Sequence, residues 1–239
     1  MSNELARYQK VSITLKSYLK GKGYHKALEA FKFGEERHPG FRKDGITPNF
    51  QHQIEICLFL ITLKEVADEE TVLIAALLHD VREDPHLKDG KKVYVEHHEI
   101  ESKFGKKAAD AVEKLTKEFK GYKKDMQEYF DVISSCPIAS LVKLADRIHN
   151  FSSMTGVFTI VKQEHYVFEV KEYFFPLIKT ARSNFPHQHM SYHAMGTFLK
   201  NMCRTVEAVL VAEKELIKLK EILVNNTSLV ENKTSKPNF

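Results

Sequence analysis

Apolar residues recur every three to four positions through most of this chain, the spacing that lays them along one side of an α-helix. Helices are accordingly predicted over residues 4–21, 24–37, 50–66, 69–84, 95–103, 105–119, 123–134, 138–150, 158–182 and 191–224. Glycine and proline mark the joins, among them Gly23, Pro39, Gly45, Pro48, Pro85, Gly121, Pro137 and Pro186. Only KKVYV, residues 91–95, has strand character, and it is too short and isolated to found a sheet. The pattern predicts a single all-α domain over residues 1–224, followed by a polar, frayed tail over 225–239.

Three of these helices carry polar residues where the pattern is otherwise apolar or where the helix begins. In EETVLIAALLHDVRED, residues 69–84, an unbroken apolar run from Val72 to Leu78 predicts burial, and the run ends in His79, Asp80, Glu83 and Asp84. At roughly 100° per residue, taking His79 as zero, Glu83 falls near 40°, Asp80 near 100° and Asp84 near 140°. One imidazole and three carboxylates therefore share one side of a helix end. Carboxylates on a buried helix repel one another and lose hydration, so they need a cation or they bind protons. The plainer alternative is a solvated, fraying helix end before Pro85. His52 sits in the first turn of NFQHQIEICLFLITL. The helix IASLVKLADRIHNF turns Leu141, Leu144, Ala145 and Ile148 to one side and carries Asp146, with Asn150 one turn on along the same face and Arg147 beside it.

Together His52, His79, Asp80 and Asp146 supply two imidazoles and two carboxylates, a set that suits Mn²⁺, Fe²⁺ or Zn²⁺ rather than calcium or a thiolate-bound metal. Four protein ligands leave positions open on a six-coordinate ion for water or a phosphate oxygen, which makes the expected site catalytic rather than structural. Glu83 and Asp84 lie on the same side one turn further along, placed to accept a proton from water or to orient it.

Composition narrows the setting. Hydrophobic residues at 43% and charged residues at 28% are the balance of a soluble globular protein, and there is no apolar run long enough to span a membrane. The N-terminus MSNELARYQK lacks the apolar stretch of a signal peptide, so a cytoplasmic location is expected. Cys57, Cys136 and Cys203 are widely spaced, without a CxxC pair, and read as reduced thiols. A net charge of +4 suits an anionic substrate, but the lysines are interleaved with acids and form no nucleic-acid stripe. Neither a membrane nor a nucleic-acid partner is expected, and the oligomeric state is left open.

In this order along a helical chain, His52, the His79-Asp80 pair and Asp146 resemble the HD phosphohydrolase superfamily. Within it, HDVRED resembles the HDxxED signature of RelA/SpoT-type alarmone hydrolases, KLADRIHN their KLADRxHN segment, and FRKDGITPNFQH their RKxGxPYxxH segment. The resemblance covers roughly residues 24–185, including the spacing from FG at 104–105 to LTK at 115–117. It implies a helical bundle around one Mn²⁺ held by His52, His79, Asp80 and Asp146, with Glu83 and Asp84 activating water. It implies hydrolysis of the 3′-pyrophosphate of ppGpp or pppGpp. Arg42 and Lys43 match a basic pair at the nucleotide, and Arg147 and Asn150 match positions lining it. The family's Tyr is Asn49 here, beside Phe50, and the Pro after the first histidine is Gln53, so base stacking and pocket shape can differ. The chain is also short for the long family members, as expected of a hydrolase-only form.

Rival readings keep the metal and change what is done with it. One is an HD enzyme for an adenine alarmone, a deoxynucleotide or NADPH; the other is a metal-stabilised module that binds a nucleotide without cleaving it. The other histidines carry less. His189 and His193 have the i, i+4 spacing of a helical metal site with His187 nearby, but no acid accompanies them and a surface helix start accounts for the trio. His97 and His98 face different ways on a helix and read as surface residues.

Overall fold

A computed structural model describes residues 3–83, 85–88, 90–154 and 157–234. They form helices α1 (Asn3–Lys22), α2 (His25–Arg37), α3 (Gln51–Leu60), α4 (Glu69–Leu78), α5 (His97–Phe104), α6 (Lys106–Leu115), α7 (Met126–Ser134), α8 (Pro137–Ser152), α9 (Ile160–Glu169), α10 (Phe175–Asn184) and α11 (His189–Thr234). Helix α4 is the hub, packed against α2, α3, α6 and α8. Its residues Val72 to Leu78 are all essentially inaccessible to solvent. A helix that is apolar all round has to be buried all round. At about 1.5–3 kcal/mol for each fully buried Val, Leu or Ile side chain, that run is favourable enough to draw the polar residues that follow it into the interior. On α2, Gly34 lets the two helices close: a Cβ there would lie 2.9 Å from the Leu77 carbonyl oxygen and 2.6 Å from the Phe50 ring.

The local signals account for most of the ends. Asp125 caps α7 by accepting the Gln127 and Glu128 amides, Thr159 caps α9 by accepting the Lys162 amide, and Pro137 opens α8 at a position that has no amide to lose. The predicted helices over 50–66, 69–84 and 105–119 are shorter than expected. After Leu78 the chain leaves the α-helix, and the Val81 and Glu83 amides donate three residues back, to Leu78 and Asp80. The expected α-helical projection of Glu83 is therefore corrected to a turn. After α6, β3 (Glu118–Phe119) pairs with β4 (Tyr122–Lys123) through a turn in which Lys120 and Gly121 both take positive φ. KKVYV, expected to be too isolated to found a sheet, is corrected: Lys91–Val93 (β2) pairs antiparallel with His86–Lys88 (β1) in a two-stranded sheet.

The segment predicted as one helix over 158–182 is α9 and α10 joined by a π-turn at Val170–Phe174, where the Phe175 amide donates to Val170. Pro176 cannot donate to the preceding turn, and the wider turn ahead of it absorbs that loss. Helix α11 continues to Thr234 rather than stopping at 224.

Candidate metal centre and its cavity

Three packed elements converge on one point: the first turn of α3 brings His52, the turn after α4 brings His79 and Asp80, and the middle of α8 brings Asp146. His52 Nε2 lies 3.1 Å from Asp146 Oδ1, and His79 Nε2 lies 3.9 Å from the same oxygen. His52, His79 and Asp146 are buried, and each offers a donor atom within 4.8 Å of the other two. Asp80 stands at the edge of this trio, with Oδ2 3.0 Å from His79 Nε2 and 3.4 Å from the Gln53 amide nitrogen that donates to it.

The chemistry of these donors fits a divalent cation. His79 Nδ1 lies 2.8 Å from the Ala76 carbonyl, which can only accept, so Nδ1 carries a hydrogen. Nε2 is then the nitrogen left free to face a cation. It is buried and makes no hydrogen bond among the described residues, although the Asp80 carboxylate is near. The field calls for positive charge. Burial acts to lower the His79 pKa, yet Asp80 and Asp146 outweigh it and push the imidazole up to about 9. Burial dominates at His52, which falls to about 4 in spite of Asp146. Both carboxylates are held well below their ordinary range, burial being overcome at Asp80 by His79 and at Asp146 by Lys143 and the two histidines.

A second layer fixes Asp146. The Asn150 amide donates to Oδ1 at 2.6 Å and the Lys143 ammonium to Oδ2 at 3.0 Å. The i, i+4 spacing read from the sequence is thus a direct bond. Behind His52, Nδ1 lies 2.8 Å from His149 Nδ1, and His149 Nε2 lies 2.7 Å from Glu55 Oε2. Glu55 is pinned in turn by Arg7 at 2.8 Å and the Gln51 amide at 3.1 Å, both on Oε1. Burial would raise the Glu55 carboxyl, but His149 and Arg7 hold it at about 2.

His52 and Asp80 form part of the wall of a cavity of about 710 Å³, together with Arg42, Lys43 and Asn150. Arg42 and Lys43 lie on a loop shaped by Asp44, whose carboxylate accepts the Ile46 and Thr47 amides at 2.9 Å each. Arg42 Nη2 reaches Asn150 Oδ1 at 3.5 Å, linking the basic loop to the metal side. Lys162, Phe158 and Tyr166 complete the same wall, and sequence reasoning missed all three. Lys162 Nζ sits 3.7 Å from the centre of the Phe158 ring; burial lowers its pKa, and the neighbouring Lys43 lowers it further. His38 is another omission: it lines the cavity, buried, and its Nε2 has no hydrogen-bond partner among the described residues.

Other expected site residues are placed differently. Arg147 does not line the cavity. It is buried, donates to Glu169 Oε2 at 2.7 Å, and lies between the rings of Tyr166 and Phe174 at 4.3 and 4.5 Å. It stands behind the wall, next to the lining residue Tyr166. Glu83 is also set back from the cavity, its Oε1 accepting the Lys117 amide, and burial followed by Asp80 pushes its pKa up. Asp84 lies outside the described residues. Phe50 belongs to the core, edge-on to Phe31, while Gln53 takes up the brace on Asp80. His187, in the 3-10 turn before α11, and His189 and His193 on α11 are exposed and gather no acid among the described residues.

Residues 30–181 match the family described as HD domain. The chain belongs to the HD domain family. HD domains bind a divalent metal, and His52, His79 and Asp146 make a cluster able to hold one. This HD domain is 31% identical over 153 residues to a guanosine-3′,5′-bis(diphosphate) 3′-pyrophosphohydrolase of Aquifex aeolicus, across 62% of this chain and 20% of that one. It is 27% identical over 178 residues to the bifunctional (p)ppGpp synthase/hydrolase SpoT of Escherichia coli, across 71% of this chain and 24% of that one. The chain thus spans only a fifth to a quarter of the length of these relatives. Among solved structures, a metazoan ortholog of SpoT described as hydrolysing ppGpp overlays with a TM-score of 0.52 at 23% identity, covering 71% of this chain and 93% of that one. That overlay establishes the shared fold. No helix among the described residues is long and apolar enough to cross a membrane.

Proposed function

We propose that this HD domain hydrolyses the 3′-pyrophosphate of guanosine alarmones in the cytoplasm, converting ppGpp or pppGpp to GDP or GTP and pyrophosphate, with one Mn²⁺ per chain. The observation that carries the reading is that metal donors and unpaired cations share one cavity. His52 and Asp80 stand in one part of its wall, and Arg42, Lys43 and Lys162 in another; among the described residues none of these three cations forms a salt bridge. A nucleotide phosphorylated at both ends suits that division, because one end can be anchored while the other is cleaved.

In this reading Arg42, Lys43 and Lys162 hold the 5′ phosphates, Arg42 with the fork geometry that matches phosphate oxygens. Phe41, exposed at the cavity, and Phe158 offer flat surfaces to the purine. His52, His79, Asp80 and Asp146 would hold the ion, which would polarise the attacking water and the scissile phosphate. Glu83 takes the water's proton and Asp84 orients the water. Glu83 suits an acceptor in that burial and Asp80 raise its affinity for a proton, while the Lys117 amide fixes one of its oxygens. Asn150 and Lys143 keep Asp146 oriented while charge moves. Residues 1–224 act as one hydrolase unit.

The test is product analysis by phosphorus NMR or chromatography after incubating the Mn²⁺-loaded protein with ppGpp. Intact pyrophosphate and GDP are expected, with ordinary GTP a poor substrate. Release of single phosphates, or preference for a deoxynucleotide, an adenine alarmone or NADPH, would overturn the substrate assignment. Binding of ppGpp with no product would establish a binding module instead.

A further inference from the structure

A file of hydrogen-bonding groups runs away from the metal side of the cavity: His52, His149, Glu55, Arg7. His149 and Glu55 lie apart from the cavity wall, and no step of the proposed hydrolysis uses them. The order of donors along the file is constrained. Glu55 is anionic and has only acceptors, so His149 Nε2, 2.7 Å from Oε2, must carry the hydrogen between them. With its ring hydrogen on Nε2, His149 presents a lone pair at Nδ1. His52 Nδ1, 2.8 Å away, must therefore be the donor, which leaves the His52 Nε2 lone pair facing Asp146 and the metal position. The opposite order would put the hydrogen on His52 Nε2, directed at Asp146, where it blocks coordination.

We propose that Glu55, acting through His149, is the positioning residue that locks His52 in the Nδ1–H tautomer and so makes its Nε2 a metal ligand. The inference rests on the metal reading of the His52 cluster but not on the identity of the nucleotide. Metal-bound histidines generally have the second nitrogen fixed by a hydrogen bond, and losing that partner typically weakens metal binding 10–100-fold. Here the partner is another imidazole, so the direction of its hydrogen bond has to be set from further out. Arg7 and Gln51 contribute to this, because both donate to Oε1 and leave Oε2 to His149.

That arrangement gives a sharp test. In Glu55→Gln the amide oxygen faces the donors on Arg7 and Gln51, and its NH₂ group faces His149. The file reverses with almost no change of shape. The expected result is a Kd for Mn²⁺ weakened about 10–100-fold by equilibrium dialysis with metal analysis, a melting temperature close to wild type in the metal-free protein, and a shift of the His52 hydrogen from Nδ1 to Nε2 in long-range ¹⁵N–¹H NMR. His149→Asn, whose amide oxygen can accept the same proton from His52, should retain most of the affinity, and His149→Leu should lose it. Wild-type affinity in Glu55→Gln, or an unchanged His52 tautomer, would overturn the proposal while leaving the metal site intact. A wild-type protein that takes up no divalent ion would overturn the metal reading and this proposal together.

Discussion

The two parts of the cavity wall are built on different principles. On the metal side, His52, His79 and Asp146 come from α3, the turn that ends α4, and α8, all at most 7% exposed, and the Asp146 oxygens are engaged by Asn150 and Lys143. On the basic side, Arg42 and Lys43 ride on a loop whose Phe41 is 60% exposed, and Lys162 leans across from α9. In the first region burial and hydrogen bonds fix the donors, as a reacting centre requires. The second supplies charge and flat surface in water, where side chains can adapt to what they hold. Chemistry is therefore tied to the stability of the fold, whereas substrate choice can change with little cost to it.

The contrast breaks most completely at a ligand. His79→Ala or Asp146→Ala should abolish both Mn²⁺ uptake and turnover, since the remaining partners are left as buried, uncompensated polar groups. Calorimetric titration with Mn²⁺ and an activity assay read the two losses separately. Undiminished hydrolysis after exhaustive chelation would show that the buried cluster does not serve the chemistry. Glu83→Gln should separate the water's proton acceptor from the ligands: metal binding and KM are kept, and kcat falls by roughly two to four powers of ten. A rate within twofold of wild type would remove Glu83 from the reaction.

How much of this contrast is visible in the sequence follows from how local each feature is. His79 and Asp80 interrupt an apolar run, and Asp146 and Asn150 sit one helical turn apart, so candidate donors stand out, but it is their order with His52 along the chain that groups them. The helix-forming stretches are equally legible because apolar periodicity survives in all but the most buried of them. Four things are hidden. The end of α4 depends on turn bonds at Val81 and Glu83 that no composition signals. Lys162 meets Lys43 only because α9 crosses the loop, a contact with no sequence signature. Arg147 is adjacent to Asp146 in sequence, yet one step along a helix rotates it away from the cavity onto Glu169 and two aromatic rings. His149 lies inside KLADRIHN, but its role emerges only from Glu55 on a different helix.

Arg147 offers the next sharpening, because a substrate contact and a supporting contact predict different losses. Glu169→Ala removes the partner of a buried guanidinium, and such a break costs about 3–5 kcal/mol. At about 2–4 °C per kcal/mol for a chain of this size, the melting temperature should fall on the order of 10 °C. If instead thermal stability holds and only KM rises, Arg147 reaches the nucleotide and belongs to the adaptable part of the wall.

The smallest effects belong to the basic wall itself. Lys162→Ala and Arg42→Ala remove cations that have no ion-pair partner among the described residues, so neither should lower the melting temperature appreciably. Lys162→Ala also relieves repulsion with Lys43, which already depresses the Lys162 pKa, and the free protein should tolerate it well. If these groups hold phosphate equally in the ground and transition states, KM for ppGpp rises while kcat stays constant. At about 1.5–3 kcal/mol for a hydrogen bond to a charged group, the rise should be on the order of tenfold or somewhat more. The contacts are open to solvent, where charges are screened over about 8–10 Å at physiological ionic strength, so the advantage of wild type over each variant should shrink as salt is added. Steady-state kinetics at two salt concentrations measure both quantities. A fall in kcat that persists at high salt would place Lys162 or Arg42 at the reacting phosphate and move it from the adaptable wall to the metal side.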